Sequence, residues 1–111
     1  MDVTKKTLRI YQDRNAREPF SDWIGTLTAR DRARVLVRLD RVETGNLGDH
    51  RSVGEDVYEL RFCFDSGYRV YYGEVDNTLV LLLCGGDKSS QKKDVKKAKA
   101  YWREYISRGT I

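Results

Sequence analysis

Two arginines on neighbouring β-prone stretches, and a lysine placed just after a glycine pair, form the strongest chemical pattern in this chain of 111 residues. The stretches are VYELRFCF (57–64) and GYRVYYGE (67–74). Side chains alternate along a strand, so Glu59, Arg61 and Cys63 share one face of the first, and Arg69 and Tyr71 share one face of the second. If the apolar sets (Tyr58, Leu60, Phe62 and Phe64; Tyr68, Val70 and Tyr72) meet helices, then Glu59, Arg61, Arg69 and Tyr71 gather on the opposite side as a cationic floor. Lys88 follows LVLLLCGGD, where Gly85 and Gly86 permit positive φ and close backbone approach, so the turn is expected to bring Lys88 to the floor's edge. Arginine forks suit phosphate oxygens and lysine adds a point charge, which makes phosphate chemistry the natural reading. Arg69, Arg61 and Lys88 are then the charge-stabilising groups, with Glu59 or Asp87 as candidate acid or base. Tyr71 is a candidate to stack on an RNA base, and Gln91, Lys92, Lys93, Lys96 and Lys97 are candidates to grip RNA. Each residue also has a plainer reading: arginines on strand faces ordinarily solubilise, a glycine pair ends a strand, and a tyrosine packs against its cross-strand neighbour.

The charge distribution supports a polyanionic partner. Net charge is +4, yet Lys88 to Arg108 holds eight Lys or Arg against Asp94 and Glu104, leaving the rest of the chain slightly acidic. A solvated basic helix face is the bland alternative. Cys63 and Cys84, with the single His50, are too few for a convincing zinc site and read as reduced strand residues. No metal or cofactor is expected. No stretch approaches the about 18 apolar residues of a membrane span, and MDVTKKTLRI lacks the apolar core of a signal peptide, so a cytoplasmic protein with no membrane partner is expected.

The elements that position these residues fit one domain, residues 1–111, without repeats or linkers. TLRIYQ (7–12) alternates and reads as a first strand. Pro19 suits the first turn of a helix whose Phe20, Trp23, Ile24 and Leu27 form one apolar face. Thr28 caps a second helix with the stripe Val35, Leu36, Leu39 and Val42, stopped by TGNLGD. The loop NLGDHRSVGED leads to three strands, 57–64, 67–74 and 78–84, joined by DSG and VDN turns. The last is apolar on both faces and belongs inside the sheet. From Ser89 or Ser90, Val95, Ala98, Trp102 and Tyr105 define a final helix. The expected fold is α+β in the order β-α-α-β-β-β-α, with a mainly antiparallel four-stranded sheet and both N-terminal helices on one face.

In order along the chain, the blocks YELR, GYRVYY, LLLCGGDKSSQ and DVKKAKAYW, together with FSDWI, resemble the RelE/ParE superfamily of toxins from bacterial toxin–antitoxin pairs. They are closer to the HigB-like group called addiction module killer proteins. That resemblance spans nearly the whole chain and implies the small RelE-like fold just described. It also implies a cognate helix-turn-helix antitoxin, a higher-order toxin–antitoxin complex, and action on the ribosome and mRNA as a metal-independent endoribonuclease that inhibits translation. RelE-like nucleases place an arginine on the scissile phosphate where Arg69 stands, basic residues near Arg61, and a basic residue at Lys88. The tyrosine or histidine that many of them carry near the C-terminal end of the site is replaced by SSQKKDVKKAKAYW, where Ser89, Gln91 and Asp94 are available. ParE members of the same fold instead poison DNA gyrase without cleaving RNA, which is the alternative function.

Overall fold

A computed structural model describes residues 5–63 and 67–109. The elements are β1 (Thr7–Ile10), α1 (Pro19–Gly25), α2 (Ala29–Glu43), β2 (His50–Gly54), β3 (Val57–Arg61), β4 (Arg69–Val75), β5 (Leu79–Gly86), a 3₁₀ turn (Lys88–Ser90) and α3 (Gln91–Ser107). They form one five-stranded sheet of order β1-β5-β4-β3-β2. β1 runs parallel to β5, and the other neighbours are antiparallel. β5 lies inside the sheet, as an apolar run on both faces demands.

The fifth strand, β2, corrects the expected count of four. Its pattern is nearly all exposed, so it has no apolar alternation to reveal it. The ladder to β3 and a two-residue turn hold it instead: Glu55 and Asp56 both take positive φ (55° and 64°), as a tight hairpin requires. Asp76 and Asn77 make the equivalent turn between β4 and β5, where Thr78 N donates to Val75 O. The expected strand 57–64 ends at Arg61, and Phe64 lies outside the described residues.

Helices cover both faces. On one, Phe20 of α1 and Val35, Leu39 and Val42 of α2 pack against Leu60, Val70, Tyr72, Val80 and Leu82. Pro19 sits at the start of α1, and the Thr28 hydroxyl accepts from Asp31 N to cap α2. Leu36, expected in the buried stripe, is exposed instead. On the other face, Ala98 and Trp102 of α3 cover Val57, Tyr71, Leu81 and Leu83. The register of β4 and β5 shifts between Tyr71 and Tyr72, whose partners are Cys84 and Leu82. Leu83 is therefore the extra residue of a bulge, and the end of β5 is re-aimed so that Cys84 and Gly86 join Tyr71 and Arg69 under α3.

The far end of α3 is tied to the chain after β1. Tyr11 Oη donates to Glu104 Oε1, Arg14 Nε to Glu104 Oε2 (3.0 Å), and Arg108 pairs with the same carboxylate and with Gln12 O. Hydrogen bonds from Arg108, then Tyr11, hold the Glu104 carboxyl down from an ordinary 4.5 to about 2. A depressed carboxyl stabilises the fold above its ordinary pKa and loses that contribution as pH falls through the folded value. The Tm of Glu104→Gln should therefore fall less than that of the parent between pH 4.5 and 2, as followed by circular dichroism.

Candidate functional site

Two cross-strand rows build the site. Arg51, Glu59, Tyr71 and Cys84 stand opposite one another across β2, β3, β4 and β5, and Arg61, Arg69 and Gly86 form the next row. At the centre is the Glu59 carboxylate, fully buried. Arg51 Nε donates to its Oε2 (2.8 Å), Gln91 Nε2 donates to its Oε1 (3.0 Å), and Arg69 Nε lies 3.4 Å from Oε1. A buried carboxylate is tolerable only when charges and donors of this kind surround it. Three elements thus converge on one group, and the start of α3 is hooked to the sheet through Gln91. Arg69 Nε makes no hydrogen bond, so Glu59 holds Arg69 by charge at 3.4 Å.

Arg69 is largely covered, with 13 % of its side chain accessible, and donates from Nη1 to Gly67 O (2.8 Å). A β-carbon on Gly67 would lie 3.6 Å from both Arg69 Nη1 and Lys88 Cβ, so Lys88 stands beside the arginine at the outer end of the row. Its side chain is exposed. The lysine and the accessible end of Arg69 can therefore meet one anion from two sides.

Gly85 and Gly86 bring this about differently from the turn expected. Neither takes positive φ, and both lie within β5. Both are needed for close packing: a β-carbon on Gly85 would strike the Trp23 ring, and one on Gly86 would strike the Asp94 carboxylate and the Ser90 hydroxyl. Ser90 Oγ donates to buried Asp94, so α3 begins against bare backbone. The Asp87 carboxylate accepts from Ser89 N and Oγ and from Ser90 N, capping the 3₁₀ turn. The Ser89 hydroxyl leads the hydrogen bonds that lower its pKa.

The floor is not open, because α3 lies over it. Tyr71 is fully buried, which corrects the expectation that its ring is free to stack on a base. Burial and then the nearby Glu59 carboxylate raise its pKa, and its hydroxyl makes no well-formed hydrogen bond. Arg61 is paired with Arg69 in register yet sends Nη2 to Asp49 Oδ1 (3.1 Å), near the start of β2. Lys92, Lys93, Lys96 and Lys97 project from α3, Lys92, Lys93, Lys96 and Lys97 all being exposed. His50 Nδ1 lies 2.9 Å from Gly48 O in the exposed start of β2. Sequence alternation did not point to Arg51; taking HRSVG as a strand paired with VYELR would have set it opposite Glu59. Among the described residues no cluster of three His, Cys, Asp or Glu is placed to hold a metal, and no helix is long and apolar enough to cross a membrane.

Residues 22–103 match the family described as "Phage derived protein Gp49-like (DUF891)". The chain belongs to the Gp49-like family. This family is associated with RelE-like toxins of toxin–antitoxin pairs. A protein of Haemophilus influenzae (strain ATCC 51907 / DSM 11121 / KW20 / Rd), described as uncharacterized, is 44 % identical over 86 residues, covering 77 % of this chain and 87 % of its own. The Gp49-like match runs from α1 into α3 and so contains Arg51, Glu59, Arg69, Lys88 and Gln91, while β1 precedes it.

Proposed function

We propose that this Gp49-like protein is the toxin of a type II toxin–antitoxin module, a HigB-like, ribosome-dependent endoribonuclease that cuts translated mRNA in the cytoplasm. A cognate helix-turn-helix antitoxin neutralises it, in a higher-order complex. The observation that carries this reading is Arg69, held by the charge of buried Glu59 with its outer end beside Lys88. Cleavage proceeds by attack of the RNA 2′-hydroxyl oxygen on the adjacent phosphorus. The 2′-hydroxyl proton passes to water, the bond from phosphorus to the 5′-oxygen breaks as Lys88 gives that oxygen a proton, and a 2′,3′-cyclic phosphate and a 5′-hydroxyl remain. Arg69 and Lys88 stabilise the extra negative charge of the phosphorane, and Arg61 adds positive potential from the neighbouring strand.

Pre-oriented charge is the main resource of such a site, because Asp87 is occupied as a cap and Glu59 by Arg51, Gln91 and Arg69. Free RNA is then a poor substrate, and the ribosome supplies alignment of the 2′-hydroxyl with the phosphate. The exposed lysines of α3 grip ribosomal RNA, so association weakens with salt. Replacing Lys92 and Lys96 by Ala should reduce the slope of log affinity against log salt by about 0.7–0.9 for each phosphate that the two lysines neutralise.

The test is to add the purified protein to a reconstituted translation reaction and, separately, to the same naked mRNA. The expected result is cutting of the translated message alone, with new 5′ ends that accept phosphate from polynucleotide kinase directly. Inhibition of gyrase supercoiling with no RNA cut would replace this reading by the gyrase poison.

A further inference from the structure

A second cationic site, which shares Arg61 with the site described above, lies where α2 meets the ends of β2 and β3. It is a cleft of about 380 Å³, lined by four arginines and one aspartate around an apolar floor. Arg34, Val37, Arg38 and Arg41 come from one face of α2, at positions i, i+3, i+4 and i+7. This face differs from the stripe of Val35, Leu39 and Val42 that α2 buries in the core.

Each wall has a distinct state. Arg38 is fixed in place, since it donates to the backbone oxygens of Arg61, Leu47 and Asp49 and lies 4.9 Å over the Phe62 ring. Its charge stays in the cleft, but its main donors are spent on the fold. Arg61 shares its fork with Asp49, and both are about half exposed. Arg41 is exposed and has no carboxylate partner among the described residues. Val37 is 51 % exposed and offers apolar surface among the arginines of α2. Cys63 is exposed and lines the same cleft, whereas the Phe62 ring is buried under the Arg38 guanidinium.

We infer that this cleft docks an acidic amphipathic segment of a partner protein, with one apolar side chain on Val37 and Cys63 and carboxylates on Arg41 and on Arg61 beside Asp49. Charge complementarity selects the acidic partner, and the apolar floor selects a peptide over a nucleic acid. A phosphate backbone gains from the cationic rim but nothing from Val37, whereas a buried apolar anchor ringed by charge is the usual anatomy of a peptide-binding hot spot. Seven residues of α2 span about 10 Å, so a helical partner with acidic residues about one turn either side of its anchor matches the rim. Arg61 is common to this cleft and the RNA site, whereas Val37 and Arg41 belong to the cleft alone, so variants at those two positions test peptide docking separately from RNA cleavage.

The probes are a short synthetic helical peptide with a central leucine flanked by glutamates, the same peptide with serine for that leucine, and a short single-stranded RNA. Binding is followed on isotope-labelled protein by amide chemical-shift changes. The expected result is that the leucine peptide shifts Val37, Arg41, Phe62 and Cys63, and that Val37→Asp and Arg41→Glu each weaken it by about tenfold or more. Both positions are exposed, so the variants should keep the parent's spectrum elsewhere. Arg69→Lys should bind the peptide as the parent does. No shift at the cleft with the leucine peptide, equal binding of the serine peptide, or tighter binding of the RNA at these amides would overturn the inference.

Discussion

Glu59→Ala should cost about 3–5 kcal/mol, the range for removing one partner of a buried ion pair. Natural domains of this size are stable by about 5–15 kcal/mol, so the variant sits near the edge of folding. The physical reason is local. Arg69, under α3, is mostly covered, and Gln91, the first residue of α3, is half-buried; both face the carboxylate. Arg51 is half exposed and can turn to water, but Arg69 cannot follow without opening the helix. Glu59→Gln keeps an acceptor and the shape of the side chain, and should lose less. Urea unfolding of the three proteins checks the order parent, Gln variant, Ala variant. A parent-like midpoint for the Ala variant would mean that α3 is held without Glu59, by the packing of Trp102 and Ala98 and the ties through Glu104 and Arg108.

Arg69→Ala should lower RNA cleavage by at least about 10²–10³-fold, the cost of losing one preorganised donor to a developing anion. The same change takes one partner from Glu59 while leaving Arg51 and Gln91, so some loss of stability accompanies it. Arg69→Lys separates the two effects. It keeps a cation for Glu59 but removes the fork that suits phosphate oxygens, so it should fold like the parent and still cleave poorly. Cleavage rates measured alongside melting curves distinguish a lost site from a lost fold. Equal rates in parent and Lys variant would leave Arg69 a purely structural residue.

Those features that alternation or capping can express were legible in the sequence. The two-faced apolar run of β5 placed it inside the sheet, Pro19 and Thr28 marked the starts of α1 and α2, and the common face of Arg61 and Arg69 followed from strand parity. What escaped is written in packing that has no period. β2 is an edge strand held by its ladder and a left-handed turn, with little buried to betray it. Tyr71 and Tyr72 are alike in sequence and both buried, one under α3 and the other among the residues packed with α1 and α2. Parity assigns their opposite faces but not what covers them. Gly85 and Gly86 read as a turn because glycine is permissive, whereas here its missing β-carbon makes room for Trp23 and Asp94. Arg61 and Arg69 share a row, yet Asp49 draws one guanidinium outward and Glu59 draws the other inward, which depends on β2 and α3 being in place.

The central claim is that Arg69 stabilises charge on an mRNA phosphate that the ribosome presents. Pulse induction in bacteria, beside Arg69→Ala and Arg69→Lys, with new 5′ ends mapped on one abundant transcript carrying or lacking its start codon, tests it directly. Cuts should be confined to the translated frame, absent from the transcript without a start codon and lost in both variants. Growth arrest with no new RNA ends, or cuts that persist in the variants, would contradict it.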